Sequence, residues 1–533
     1  MNVSQGRYSS YAFDVCVIGG GPVGLATALA IARGSKGRVL LLESGGTETD
    51  VEAQDLSRLV IPDETHHRPA ALTVYRGLGG TSRWWGGRCV EYDDIDFETR
   101  DYVADSGWPI DHAEIKPFYS EAHAFLTSDF VAARPASILA DHPANVESWA
   151  RVQNVERSKR SALKSTPNLT IALHTTAISF ELDTTTGVVL ALNAKEKSRP
   201  QRFQAQYYVL ACGGRENARL LLQLQAVSST ILNGEAATTG HYYMGHLTGA
   251  IASVQFRDRQ LAQHVLFKRT ANGTYMRGRF QLNATTQKSQ QVLNTVMWPQ
   301  NYEHLADGAH DGASAVYQLL RFRAQSESAR RQDFSAAKAA GAILRHPGQA
   351  ALTCHNLLKN RLLRYPHFFV PNPTNTYWLR YHAEHTPLYS SRVRLSNERD
   401  AFDAHRLEVD YRYCDDDYRS VVRSHMLLDR ALRGATAGSL TFFGPPQELE
   451  AQVKAQAIDG YHQIGLTKMS TSRRNGTVDR NCKVHDLENL YVAGSSIFPT
   501  SSQANPTLPA VAFALRLASH LTHKLTTRIH VDI

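Results

Sequence analysis

The sequence lacks the cysteine patterns of a disulfide-stabilised or metal-binding protein. Its 533 residues include six cysteines, and none of them forms a CxxC pair or a spacing typical of metal ligands. Cys16 and Cys212 lie in apolar patterns typical of strands. We therefore expect buried free thiols in a reducing compartment, and neither a disulfide framework nor a metal site.

Long apolar runs are absent as well. No segment reaches the roughly 18 apolar residues that a membrane-spanning helix requires. The N-terminus has neither a basic start with an apolar core nor a twin-arginine pair, and no repeat or low-complexity segment is present. These absences predict a cytoplasmic protein without an integral membrane segment.

A concentrated positive charge is the third missing feature. The formal net charge is +8, but 58 basic residues are scattered among 50 acidic ones. A basic balance without a patch or a recognition motif does not indicate nucleic-acid binding. An anionic substrate or an acidic partner stays open. The length and the 42% hydrophobic content predict a globular chain of two domains.

What the sequence does contain is a strand–helix–strand pattern near the N-terminus. Phe13–Ile18 predicts a strand, Leu25–Arg33 an Ala-rich helix, and Arg38–Leu42 a second buried strand. Between the first strand and the helix lies a glycine-rich turn. This is the βαβ context in which a glycine motif binds a dinucleotide, although a bare motif of this kind is often only a turn.

Gly19, Gly21 and Gly24 occupy the GxGxxG positions. The first allows the tight turn, the second lets the backbone approach a pyrophosphate, and the third lets the helix pack on the strand. Glu43 ends the second strand, 43 − 24 = 19 residues after the third glycine, where an acid hydrogen-bonds a ribose hydroxyl. The pattern predicts FAD or NAD and disfavours NADP.

A second glycine-rich stretch, Tyr75–Glu98, contains two adjacent tryptophans, Trp84 and Trp85. Glycines beside bulky aromatic residues suggest a backbone wrapped against a flat ligand, with free N–H groups. The alternative is a tight surface loop with buried tryptophans.

Later segments repeat the nucleotide-fold pattern and then change character. Gln206–Ala211 predicts a buried strand that leads through a Gly pair into a helix. Between residues 250 and 450 the pattern predicts mainly antiparallel strands, with helices over Ser314–Gln325 and Asp333–Leu363. The basic region 328–364 is either a solvated helix face or a lid, partner or membrane-surface element.

The C-terminal stretch Tyr461–Leu515 holds the candidate chemistry. His462 lies in a Gly-punctuated turn, and Asn505 follows 505 − 462 = 43 residues later, before an Ala-rich helix pattern. A neutral imidazole is suited to removing a hydroxyl proton, and an amide N–H can stabilise the oxygen left behind. Alternatively, His462 is a structural histidine and Asn505 caps the following helix.

Several motifs carry a resemblance to a known family. GLGGTSRWWGG, DDIDFE, SGWPI and FYSEAHAFL, together with VLACGGRENARLLL, resemble the glucose-methanol-choline (GMC) oxidoreductases, in the bacterial branch near pyranose oxidases and sugar or glycoside dehydrogenases. The resemblance implies an α/β fold, α+β overall. A Rossmann-like FAD-binding domain (1–125, 155–249 and 455–533) would be interleaved with a substrate domain (126–154 and 250–454) built on a mainly antiparallel sheet with helices.

The resemblance also implies a set of site residues. His462 and Asn505 match the family's catalytic pair, with the flavin N5 accepting a hydride. The residues implied to bind FAD are Gly19, Gly21, Gly24, Glu43, Gly80, Thr81, Ser82, Trp85, Gly86, Gly87, Ala177, Ala211, Gly494, Ser495, Pro506 and Thr507. Trp84 stands where several pyranose oxidases carry a flavin-linked histidine, so we expect non-covalent FAD.

The function implied is FAD-dependent oxidation of a secondary alcohol to a ketone, at a ring hydroxyl of a sugar or glycoside. Oxygen, a quinone or a carrier protein could accept the electrons. Two alternatives stay open: the same fold oxidising a non-sugar natural-product alcohol, and a non-redox flavoprotein such as an isomerase or lyase.

Overall fold

A computed structural model describes residues 12–130, 139, 145–228, 231–232, 238–263, 265, 267–300, 315–316, 336–348, 350–352, 354–355, 358 and 375–529. Of the predicted helix Ser314–Gln325, only residues 315–316 are described. The predicted helix Asp333–Leu363 and the basic region 328–364 lie partly outside the described residues, and the part described includes a helix at Ala336–Arg345, as predicted.

The strands there are β1 (Ala12–Ile18), β2 (Val39–Leu42), β3 (Arg88–Cys89), β4 (Asn145–Trp149), β5 (Leu169–Ala172), β6 (Thr175–Asp183), β7 (Val188–Glu196), β8 (Arg199–Leu210), β9 (His246–Phe256), β10 (Phe267–Arg269), β11 (Tyr275–Gln281), β12 (Thr295–Gln300), β13 (Thr376–Glu384), β14 (Arg392–Arg399), β15 (His405–Asp410), β16 (Gly438–Phe442) and β17 (Leu490–Val492).

The helices are α1 (Pro22–Gly34), α2 (Val51–Asp55), α3 (Ala70–Thr73), α4 (Asp94–Phe97), α5 (His112–Leu126), α6 (Val155–Ser165), α7 (Gly214–Val227), α8 (Arg259–Gln263), α9 (Ala284–Gln290), α10 (Ala336–Arg345), α11 (Asp415–Gly434), α12 (Leu449–Gln456) and α13 (Thr507–Ile529). Within the described residues, none of them combines the length and apolar character that crossing a membrane would need.

The first sheet is built around parallel strands. Its order is β5-β2-β1-β8, and β17 pairs in parallel with the carboxyl end of β8. The antiparallel strands β7 and β6 extend it beside the first half of β8. All of β2 is buried, as expected of an apolar strand covered on both faces. α1 packs against the C-terminal helix α13, which lies in the same hydrophobic core.

The second sheet is antiparallel at every pairing between described strands. Its order is β16-β9-β13-β12-β11-β4-β3, with β10 beside β11. β3 and β4 come from the N-terminal part of the chain, between segments of the parallel sheet, so the two sheets are interleaved in sequence. β14 and β15 form a separate hairpin. The mixed α/β fold class predicted above is confirmed.

Local predictions near the N-terminus and at β8, α7 and α13 are confirmed, although β8 begins at Arg199, seven residues before its predicted start. α1 begins at Pro22, three residues before the predicted start, because proline suits the first position of a helix. The interpretation of residues 250–450 was less complete. It anticipated antiparallel strands but not the 20-residue helix α11.

Candidate active site

A cavity of about 900 Å³ extends from the carboxyl ends of β1, β2 and β8 to strands β9 and β13 of the antiparallel sheet. Its lining includes every predicted site residue except Gly24 and Gly87. Those present are Gly19, Gly21, Glu43, Gly80, Thr81, Ser82, Trp85, Gly86, Ala177, Ala211, His462, Gly494, Ser495, Asn505, Pro506 and Thr507. One cavity therefore joins the nucleotide-type turn and the His–Asn pair.

The glycine turn after β1 has the geometry that its three glycines predict. Gly19 has φ +108°, in the region that favours glycine. A Cβ on Gly24 would lie 1.8 Å from the carbonyl oxygen of Gly19, whereas one on Gly21 would come no closer than 4.0 Å to the Cα of Gly80. Gly24 therefore serves helix–strand packing outside the cavity, and Gly21 leaves open space at the N-terminus of α1.

Glu43 ends β2 at the rim of this space and is buried. Its Oε2 accepts a hydrogen bond from the Gly20 N–H at 2.8 Å, and its Oε1 accepts one from the Gly45 N–H at 2.8 Å. The carboxylate thus holds two turns together and keeps lone pairs for a ligand. Its bond to a ribose stays a prediction.

The glycine-rich loop packs directly against the first glycine turn. The Gly79 N–H donates to the Gly20 carbonyl at 2.8 Å, and a Cβ on Gly80 would lie 2.8 Å from the Cα of Gly21. Ser82 is buried and its Oγ accepts the Val155 N–H at 3.1 Å. The loop therefore lies over the nucleotide turn.

The two tryptophans of this loop are not buried as the alternative interpretation required. Trp84 is 50% exposed and stands edge-on to Tyr75, while Trp85 is partly buried and donates its Nε1–H to the Gln153 carbonyl at 2.8 Å. Both line the cavity. Gly87 has φ +73° and lies just outside the lining.

The remaining predicted residues lie where strands or helices begin and end around the cavity. Ala177 belongs to β6, Ala211 follows β8, Gly494 and Ser495 follow β17, and Pro506 and Thr507 begin α13. Gly494 has φ +125°, and a Cβ there would meet only the Nδ2 of Asn217 at 3.8 Å. All of these residues line the cavity.

His462 and Asn505 are in direct contact. The Nδ2 of Asn505 lies 3.1 Å from the Nε2 of His462. The Oδ1 of Asn505 is buried and has no hydrogen-bond partner among the described residues. Asn505 therefore does not cap α13 with this oxygen, and the capping alternative is not supported.

Asp459 holds the other side of the His462 ring, with its Oδ2 3.0 Å from the Nδ1 of His462. The same carboxylate accepts the backbone N–H groups of Gly460 at 2.7 Å, Tyr461 at 2.8 Å and His246 at 2.8 Å. Burial acts to raise the pKa of Asp459, but His462, His246 and these hydrogen bonds outweigh it and hold the pKa well below its usual value. Asp459 is therefore ionised.

His246 determines which nitrogen of His462 carries the proton. The Nε2 of His246 lies 3.3 Å from the carbonyl oxygen of Ser501, which can only accept, so this nitrogen carries a hydrogen. Burial, with the charges of His382 and His462, lowers the pKa of His246 far below normal, so the ring is neutral. Its bare Nδ1, 2.9 Å from the Nδ1 of His462, must accept. The Nδ1 of His462 is then the donor, and its Nε2 is an acceptor.

A third imidazole, His382, is stacked on His246 with ring centroids 4.1 Å apart and planes inclined by 25°. One ring nitrogen of each of His246, His382 and His462 lies within 4.8 Å of the others. In the stacked rings of His246 and His382, the nitrogen lone pairs lie in nearly parallel planes and do not converge on one ion. The 2.9 Å between His246 and His462 is also shorter than the separation of about 3.4 Å between nitrogens that share a tetrahedral zinc ion. The geometry favours hydrogen bonding over metal ligation.

Sequence reasoning missed Asp459, His246 and His382. The Asp-Gly-Tyr-His order was a local signal for Asp459, because residues three apart in a turn can meet. His246 and His382 lie on the paired strands β9 and β13, with His382 opposite Thr248. In the sequence, these two histidines are marked only as polar residues that alternate with apolar ones along a strand. Whether they lie side by side depends on the register between β9 and β13.

Comparisons with known proteins match parts of this chain to one enzyme family. A family model described as GMC oxidoreductase matches residues 387–514. A C-glycoside 3-oxidase of Arthrobacter globiformis is 32% identical over 113 residues, which is 21% of each chain. A pyranose 2-oxidase of Tricholoma matsutake is 36% identical over 55 residues, which is 10% of each chain. The aligned segments thus span about a fifth or less of these curated relatives.

Solved structures match over nearly the whole length. A pyridoxine 4-oxidase from Mesorbium loti aligns with a TM-score of 0.53 at 17% identity, and a fungal aryl-alcohol oxidase with a TM-score of 0.57 at 12% identity. Each alignment covers 96% of this chain and 99% of the other. At such identities the likeness is one of fold.

Proposed function

We propose that this chain is a GMC oxidoreductase that uses FAD to oxidise a secondary alcohol to a ketone, at a ring hydroxyl of a sugar or glycoside. The observation that carries the proposal is the single cavity in which a dinucleotide-type turn meets the contact between His462 and Asn505. The sugar class rests on the two sugar-active relatives, which align over short segments.

The residues present fit FAD. α1 begins in the cavity without a side-chain cap, so its first N–H groups are available to a pyrophosphate, and Gly21 leaves the approach open. Glu43 has free lone pairs for a ribose, and the loop through Trp85 would cover the ring system. When bound, FAD supplies the hydride acceptor. Trp84 has no nucleophilic ring nitrogen, so we propose non-covalent binding.

The chain's own residues prepare the substrate oxygen. A substrate hydroxyl beside the contact between His462 and Asn505 would donate its proton to the Nε2 of His462 and accept the Nδ2–H of Asn505, which in the structure points to that Nε2 at 3.1 Å. Asp459 keeps the His462 hydrogen on Nδ1 and stabilises the positive charge that the ring acquires. Proton removal and oxyanion stabilisation thus come from two neighbouring side chains that contact the same oxygen.

The test is anaerobic flavin bleaching by a panel of monosaccharides, glycosides and hydrophobic alcohols. Wild type should be bleached by sugars or glycosides, and His462→Ala should be bleached about 10² to 10⁴ times more slowly with normal flavin content. His523→Gln, an exposed control, should behave as wild type. Bleaching only by hydrophobic alcohols would exclude the sugar class, and undiminished activity of His462→Ala would exclude the base mechanism.

Two further properties are read from the same protein. Acid precipitation should release all of the flavin if binding is non-covalent. Reoxidation of the bleached enzyme in air separates oxygen from a quinone or a carrier protein as acceptor. A cytoplasmic location and the division into the two interleaved domains stay proposals.

A further inference from the structure

His382 presents a second bare imidazole nitrogen to the cavity. It belongs to β13, and its Nδ1 lies 2.7 Å from the carbonyl oxygen of Gln503. Because a carbonyl only accepts, Nδ1 carries the hydrogen. Burial, and then the charges of His462 and Arg88, lower the pKa of His382 far below normal, so the ring is neutral and its Nε2 is a pure acceptor. Among the described residues, Nε2 has no hydrogen-bond partner.

The His382 ring is held rigidly beside the pair that we assign to catalysis. It is stacked on His246, and its centroid lies 5.6 Å from that of His462 at an interplanar angle of 89°. The bond to the Gln503 carbonyl prevents the ring from turning. A lone pair fixed in this way is pre-oriented for a donor in the cavity.

The two acceptors without a donor near this end of the cavity differ in access. The Oδ1 of Asn505 is buried away from the cavity surface and has no hydrogen-bond partner among the described residues. The Nε2 of His382 is not buried in this way, and His382 lines the cavity. A hydroxyl of a bound ligand is therefore the donor that Nε2 can receive.

We propose that the Nε2 of His382 accepts a hydrogen bond from the hydroxyl on the carbon next to the one that is oxidised, so that the substrate is a vicinal diol. The inference rests on the proposed function and deepens it by naming a substrate feature. His382 is then a specificity-determining residue, distinct from the proton-removing His462.

The chain offers a matched pair of substitutions. In His382→Asn, the amide Nδ2 takes the place of Nδ1 and keeps the bond to the Gln503 carbonyl, but no acceptor reaches the position of Nε2. In His382→Gln, the amide oxygen can reach that position. Flavin content and thermal melting establish that both variants are folded and loaded.

The ligands are methyl glucoside and its 2-, 3- and 4-monodeoxy analogues. Dissociation constants are measured by calorimetry on holoenzyme kept reduced and anaerobic, in which no turnover occurs. Wild type should bind at least one monodeoxy analogue roughly 10 to 100 times more weakly than the parent. His382→Asn should bind the parent as weakly as that analogue, and His382→Gln should recover part of the difference. Product analysis by NMR then identifies whether the missing hydroxyl neighbours the oxidised carbon.

The proposal is overturned if His382→Asn discriminates as wild type does, or if the discriminating hydroxyl is not adjacent to the oxidised carbon. Flavin bleaching by the parent glucoside reports separately on the proposed function. Discrimination without bleaching would retain the diol site and reject the oxidation. Bleaching by the glucoside together with unchanged discrimination in His382→Asn would retain the oxidation and reject the diol site. A wild type that neither binds nor is bleached by glucosides rejects both.

Discussion

The two ends of the cavity are built from different chemical groups. At the parallel sheet, glycines bring backbone close to backbone, as at Gly24 against Gly19 and Gly80 against Gly21. At the antiparallel sheet, the surface consists of imidazole, carboxylate and amide side chains that hydrogen-bond one another. The close packing at the first end requires glycines, which have no Cβ atom. The chemistry at the second end requires hydrogens on particular side-chain nitrogens. Substitutions at the two ends should therefore fail in different ways.

The largest expected effect is at Gly24. In Gly24→Ala, a Cβ 1.8 Å from the Gly19 carbonyl would force α1 away from β1. We expect a loss of about 3 kcal/mol or more in the free energy of unfolding and little flavin-loaded protein. The flavin-to-protein absorbance ratio and urea unfolding measure this. Normal loading and stability would show that the packing of this turn is not critical.

Asp459→Asn tests the side-chain end. The variant should remain folded and loaded, but the bleaching rate should fall roughly 100-fold, because the amide neither fixes the proton on Nδ1 of His462 nor stabilises the charged ring. A bleaching rate equal to that of wild type would show that the Asp459 carboxylate does not orient His462.

Gly21→Ala is the matched partner of the Gly24 substitution. Its Cβ has open space, so the fold should be unchanged. If a pyrophosphate approaches this backbone, the added methyl group should weaken flavin affinity by about tenfold. Reconstitution of the apoprotein with FAD, followed by fluorescence, measures the affinity. Wild-type affinity would place the cofactor elsewhere in the cavity.

The smallest expected effect concerns acid sensitivity at His425, a buried histidine outside the cavity that packs against Tyr381 of the antiparallel sheet. Burial lowers the pKa of His425 on α11 to about 4, against an opposing hydrogen bond to the Val421 carbonyl. Above about pH 6.5 the folded and unfolded states are both neutral here. Below it, only the unfolded chain takes up the proton, so stability falls by about 1.4 kcal/mol per pH unit until the folded pKa is reached.

His425→Phe should remove that contribution. The difference in unfolding free energy between pH 6.5 and pH 5 should shrink by about 2 kcal/mol relative to wild type, as measured by urea unfolding at each pH. The exposed control His523→Gln should leave the difference unchanged. If wild type and His425→Phe lose the same unfolding free energy between pH 6.5 and pH 5, His425 does not contribute to the acid sensitivity.

The same contrast explains what the sequence predicts well. The β1–α1–β2 unit follows from short-range patterns, and Gly19, Gly21 and Gly24 have local geometric roles that a spacing can express. The His462–Asn505 contact spans 43 residues and was reached through resemblance to a family. The meeting of His246 with His382 was not reached, because it depends on the register of β9 against β13, including a shift between Leu379 and Arg380. No pattern within either strand determines that register.

Two of the groups that set the protonation of the histidine cluster are main-chain carbonyls, those of Ser501 and Gln503. Every amino acid has such a carbonyl, so point substitutions at 501 and 503 that keep the backbone path leave the tautomers of His246 and His382 as they are. A one-residue insertion or deletion between 501 and 503 would displace the Gln503 carbonyl and Asn505 relative to the Ser501 carbonyl. The proton arrangement is thus tolerant of changes in residue identity and intolerant of changes in chain length.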